Sequence, residues 1–124
     1  MAVSFNTTLR NNRADQITSF AGSAALIKIY TSGGATLLAT LTCSSTLAPA
    51  ASSGTLTFNA ITAGTAVATG TAATASIYKS DGTTLVMSGL TVGTSATNIV
   101  LSSVAITSGD SVAITSATIT EGNA

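Results

Sequence analysis

Few side chains in this chain could do acid–base chemistry. Arg10, Arg13, Lys28 and Lys79 are the cations, Asp15, Asp81, Asp110 and Glu121 the anions, Cys43 the one thiol, and there is no histidine. A nucleophile needs a base held beside it, and none of these residues is spaced to supply one. Paired carboxylates for glycoside cleavage would have to come from four scattered acids, and Asp81 and Asp110 each adjoin a glycine, the chemistry of a turn. One thiol without imidazole or an acidic cluster makes no metal set. Gly33-Gly34 and Gly89…Gly93 lack the lysine and following helix of a phosphate loop. The chain is therefore expected to be non-enzymatic, with no cofactor and no metal.

Binding features remain. Lys28 and Tyr30, two apart, share one face of a strand, and with Tyr78 and Lys79 they form the one pairing of aromatics with cations. Zero net charge leaves no electrostatic footprint for nucleic acid or for an anionic membrane, so this patch reads as a protein contact or as cross-strand packing. Arg10 and Arg13, three apart, share a helix face that reads either as a solvated surface or as a place to hold the carboxylates of a partner bidentately. Cys43 continues the spacing Leu37, Ala39, Leu41 and reads as a small buried hydrophobe; alone, it can form no intrachain disulfide.

The elements that must position these residues are mostly strands. One helix is expected near residues 7–21, with N-cap oxygens from Asn6, Thr7 and Thr8. Leu9, Ala14, Ile17, Phe20 and Ala21 form its apolar side, and Gly22 stops it. From Ala24 the period becomes two: a strand through Ile27 and Ile29, a turn at 31–34, and a return through Leu37, Ala39, Leu41 and Cys43. A loop with the only proline spans 47–54, and Leu56, Phe58 and Ala60 alternate along the next strand. After a weak Ala/Thr/Gly stretch, the strand 75–79 turns at Ser80-Asp81-Gly82 and returns through Leu85, Val86 and Met87. Gly89 and Gly93 bracket an irregular piece before a strand at 99–101. A last hairpin carries Val104 and Ile106 over Ser108-Gly109-Asp110 to Val112 and Ile114. The apolar parity then shifts to Ala117 and Ile119, which predicts a β-bulge near Thr115-Ser116. The expected architecture is one mainly β domain spanning residues 1–124. It is an antiparallel β-sandwich, or flattened barrel, of about eight short strands, with the helix over one face or an open end.

Charged residues are 6% of the chain, against roughly 25% in an ordinary soluble domain. Serine plus threonine make up roughly a third of it, far above average usage. Sheet proteins usually guard exposed edges with charge, and this chain has little to use; a life inside an assembly resolves the difficulty. No window is apolar for long enough to span a membrane as a helix, and the opening residues lack the pattern of a secretory leader.

The sequence resembles small virion proteins of tailed bacteriophages, of the capsid cement or head-decoration type found also in prophages. The resemblance rests on Phe5-Asn6-Thr7-Thr8, Arg10, Arg13, Asp15 and Ile17, then Ile29-Tyr30-Thr31, Leu37-Leu38-Ala39 and Leu41-Thr42-Cys43-Ser44. It continues through Asn59-Ala60-Ile61-Thr62, Met87-Ser88-Gly89 with Val92-Gly93-Thr94, and Thr118-Ile119-Thr120-Glu121. It implies a protein made in the bacterial host cytoplasm, carried on the capsid surface, bound to the major capsid protein and assembled as a dimer or trimer. Arg10, Arg13, Lys28, Tyr30, Tyr78 and Lys79 are its candidate partner-binding residues. The other reading is a tail- or fibre-associated module binding host-surface glycans, for which Tyr30 and Tyr78 are the exposed candidates.

Overall fold

A computed structural model describes residues 6–52, 55–95 and 97–120. Expectations resting on Phe5, on the 53–54 end of the proline loop and on Glu121 lie outside the described residues.

Helix α1 runs Thr7–Ala21. It opens on Asn6, whose Oδ1 accepts the Leu9 N–H at 2.8 Å, and closes on Gly22 at φ 72°. Its core side is narrower than expected. Ala14 and Ala21 are buried and Ile17 packs against them, but Leu9 and Phe20 are 46% and 51% exposed. Small alanines make the close contact, which leaves the larger residues at the flank. Phe20 instead lies under the Lys79 ammonium, 4.3 Å from the ring centre.

The strands are β1 (Leu26–Tyr30), β2 (Leu37–Cys43), β3 (Thr55–Thr57), β4 (Ile61–Thr62), β5 (Gly64–Thr65) and β6 (Gly70–Thr71). They continue as β7 (Thr74–Tyr78), β8 (Leu85–Gly93), β9 (Ile99–Leu101), β10 (Ala105–Ile106), β11 (Ser111–Val112) and β12 (Ile114–Thr120). Eight of them form one sheet in the order β3-β12-β9-β8-β7-β1-β2-β4. Its pairings are antiparallel except for β8 with β9. The edge strands β3 and β4 are chain neighbours. From Thr57 to Ile61 the chain can span at most about 15 Å, so the sheet must curl until its opposite edges lie close. The described residues are mainly β with one α-helix near the N-terminus, as expected.

Alternation in β1 builds the core. Ile27 and Ile29 are fully buried, opposite Leu41 and Ala39 on one side and Ile77 and Ala75 on the other. Each such isoleucine contributes about 1.5–3 kcal/mol of burial. Two bulges set which residues reach that core. In β12, Ile114 faces Leu101 and Ser116 faces Val100, which leaves Thr115 as the extra residue the parity shift predicts. In β2, Ile29 faces Ala39 but Tyr30 faces Leu37, so Leu38 is extra. Leu38 becomes the buried residue and Leu37 is only half-buried, contrary to strict alternation.

Two expectations are corrected. Gly89 does not begin an irregular piece: β8 runs continuously through it, because its φ of 74° absorbs a bulge within the strand. The last hairpin does not pair with itself either. β10 pairs with β6 and β11 with β5, so the segment 105–112 lies antiparallel to 64–71. The Ala66 N–H donates to the Asp110 carbonyl at 2.8 Å and the Ala72 N–H to Val104 at 2.8 Å, continuing the ribbon between and beyond the ladders. Neither segment has the apolar content to stand alone; each supplies the backbone partners of the other.

The proline loop is less exposed than its composition suggests. Leu47 and Ala48 are buried, the Asn59 N–H donates to the Leu47 carbonyl at 2.9 Å, and the Ala51 N–H donates to Asp15 Oδ1 at 2.7 Å. Asp15 thus ties the loop to α1.

The turn at 80–82 forms as expected, with Gly82 at φ 74°. Asp81 accepts the Thr84 hydroxyl at 2.6 Å and the Thr84 and Thr83 N–H groups at 2.8 Å each. The Thr84 hydroxyl first, then these two N–H groups, hold the Asp81 carboxyl at about 2, below its ordinary 3.8. A depressed carboxylate pKa favours the folded turn above about pH 4, and that preference is lost as pH falls toward the folded value. Acid titration followed by NMR is expected to show the Thr83 and Thr84 amides moving together with a midpoint of about 2. Asp81→Asn is expected to abolish that transition and leave the β7–β8 strands paired.

Candidate functional site

The outer face of β1 and β7 carries the residues that alternate with the core. Lys28 stands opposite Ser76, Tyr30 opposite Thr74, and Leu26 opposite Tyr78. This brings three of the candidate residues together. The Lys28 ammonium lies 4.6 Å from the centre of the Tyr78 ring and donates to the Gly82 carbonyl at 3.0 Å. Partial burial first, and then the neighbouring Tyr78 phenol, raise the Tyr30 pKa above its ordinary 10.0. Both rings are half-buried, so they are fixed from below and open above.

Lys79 does not belong to this group. One residue past Tyr78, it turns to Phe20 of α1, as odd and even positions of a strand must part. Arg10, half-buried, and Arg13, exposed, are carried by α1, a different element from the tyrosine face.

Beside the tyrosines lies an open groove of about 410 Å³, lined by Tyr30, Thr74, Ser76, Tyr78, Ser88 and Gly89, with Gly33 and Gly34 also on its wall. Its hydroxyl floor is absent from the candidates named above, although parity points to it. Thr74 and Ser76 alternate with Ala75 and Ile77 and so share a face with Tyr78. A second, smaller hollow of about 230 Å³ lies between β9, β10 and β11, with Ser102, Ser103 and Asp110 on its wall. Asp110 is engaged there in its own turn, where Oδ2 accepts the Thr107 N–H at 3.0 Å.

The chain matches no protein-family model, no curated protein and no solved structure. Its chemistry must be read from its own residues.

Cys43 is 4% exposed, and burial pushes its thiol up to about 11. A thiol held protonated in the core is a packing group. Among the described residues, no cluster of three or more His, Cys, Asp or Glu side chains could hold a metal ion, and no helix is long and apolar enough to cross a membrane. The charged groups are used internally: Asp15, Lys28, Asp81 and Asp110 each bond to backbone of this chain, and Lys79 caps a ring.

Proposed function

We propose that this protein is a non-enzymatic structural component of a virion. It binds the outside of a bacteriophage head and bridges neighbouring major capsid subunits, working as a homo-oligomer. The observation that carries this reading is the internal use of its charges. Asp15, Lys28, Asp81 and Asp110 stabilise the chain's own backbone, so what meets the outside is mostly hydroxyls and small residues with a few apolar side chains such as Val67 and Leu85, and Arg10 and Arg13 on α1. Such a surface suits packing against a fixed neighbour, and contacts repeated over an icosahedral shell add up even when each is weak. The resemblance drawn from the sequence points the same way. The helix side that carries Arg10 and Arg13 is the proposed contact with acidic groups of the capsid.

Heads purified with and without this chain test the reading. Particles lacking it are expected to release DNA at a lower temperature and to resist chelator less well. In particles carrying Arg10→Ala with Arg13→Ala, occupancy is expected to fall severalfold while the isolated variant keeps its circular dichroism. Equal stability of the two kinds of head would remove the bridging role, and full occupancy by the double variant would remove the arginines from the contact.

A further inference from the structure

We propose that the groove beside Tyr30 and Tyr78 is a binding site for a neutral saccharide, with room for one or two sugar rings. This proposal does not rest on the capsid role. The lining carries aromatic rings and hydroxyls and no charge. Its nearest cation, Lys28, is already held by the Gly82 carbonyl and the Tyr78 ring, so the groove does not select an anion. The C–H face of a pyranose is apolar and weakly positive, and so complements the negative face of a phenol ring. The hydroxyls of Thr74, Ser76 and Ser88 line the groove, and each has one donor and two acceptor sites to offer a sugar hydroxyl.

Two further features favour a sugar over a peptide. β1 is paired on both sides, with β2 and β7, so this face offers no free backbone edge for an added strand. Gly33, Gly34 and Gly89 all have positive φ, and a Cβ at any of them would meet nothing within 4 Å. That side of the groove is bare backbone, which a polyhydroxyl ring can approach closely. The groove's volume lies at the small end of ligand sites. Because it is open, its affinity is set at about millimolar Kd.

The test is a titration of the ¹⁵N-labelled protein with maltose, lactose, cellobiose and di-N-acetylchitobiose, each taken to tens of millimolar. At least one is expected to shift the amides of Gly33, Gly34, Ser76 and Gly89 saturably. Tyr30→Ala is expected to weaken that binding about tenfold, and Tyr30→Phe to preserve most of it. Ser88→Leu fills the groove from an exposed position without touching the core, and is expected to abolish the shifts in a folded protein. The proposal is overturned if none of the four sugars shifts these amides saturably, or if both Tyr30→Ala and Ser88→Leu leave the binding unchanged. It is equally overturned if the same amides shift on simple concentration of the protein, which would assign the groove to a second copy of the chain. Loss of the capsid reading would be seen on heads and would leave this titration unaffected.

Discussion

Leu38→Ala is expected to lower the free energy of unfolding by about 2–5 kcal/mol, and Leu37→Ala by well under half as much. The two residues are adjacent leucines in one strand, and simple alternation through Leu37, Ala39, Leu41 and Cys43 ranks them the other way. The bulge reverses the order. With Ile29 facing Ala39 and Tyr30 facing Leu37, Leu38 is the unmatched residue, and it turns inward to become fully buried. Its backbone has a second task, because the Leu38 carbonyl accepts the Val67 N–H at 2.8 Å and so fastens the 64–71 segment to β2. Truncation leaves a cavity beneath that attachment, walled by backbone on the ribbon side, where Gly70 offers no side chain to fill it. Urea unfolding of both variants with unchanged m-values gives the comparison. Equal losses, or a larger loss for Leu37→Ala, would mean that β2 pairs without the bulge.

The same pair of leucines shows where the sequence could be read and where it could not. At Thr115-Ser116 the flanking residues alternate cleanly between apolar and polar, so one misplaced step was visible and the structure has its bulge there. At Leu37-Leu38-Ala39 three consecutive residues are apolar, so a slip of one leaves no trace in the pattern. The helix was legible to the residue because its ends are set locally, by Asn6 and Gly22. The pairing of 64–71 with 105–112 was not, because it joins two segments some forty positions apart: the first carries no periodic signal, and the alternation and turn in the second suggest pairing with itself. The candidate site divides in the same way. That Lys28 and Tyr30 share a face follows from spacing. That Tyr78 joins them follows from β1 pairing with β7 across the whole of β2 to β6, a choice of topology that no local residue records. Sequence proximity groups Lys79 with Tyr78, and proximity fails at a strand, where neighbours point apart.

Gly64→Ala tests that long-range ribbon where it is tightest. A Cβ at Gly64 would overlap the Thr40 carbonyl oxygen, with the Thr40 carbonyl carbon at 3.2 Å. Both are backbone atoms of β2, a central strand paired with β1 and β4, so no rotamer change can make room. Either β5 moves away from β2, breaking its ladder with β11, or β2 distorts within the main sheet. The expected loss is about 1–3 kcal/mol, the range for overpacking a well-filled site. Gly70→Ala, on the other strand of the same segment, is the control. There the nearest obstacle is the Thr31 methyl at 2.8 Å, a side-chain atom that can rotate aside. Rotation would disturb the bond from the Thr36 N–H to the Thr31 hydroxyl, 3.1 Å long and exposed, which costs less than moving a strand. The order of destabilisation is therefore Gly64→Ala above Gly70→Ala, read from thermal midpoints and urea unfolding. Hydrogen exchange locates the damage: in Gly64→Ala the Ala66 amide, which donates to Asp110, is expected to lose protection before the β1 amides do. Simultaneous loss across both would show that the ribbon and the main sheet unfold as one unit, and that Gly64 guards the whole fold rather than the ribbon alone.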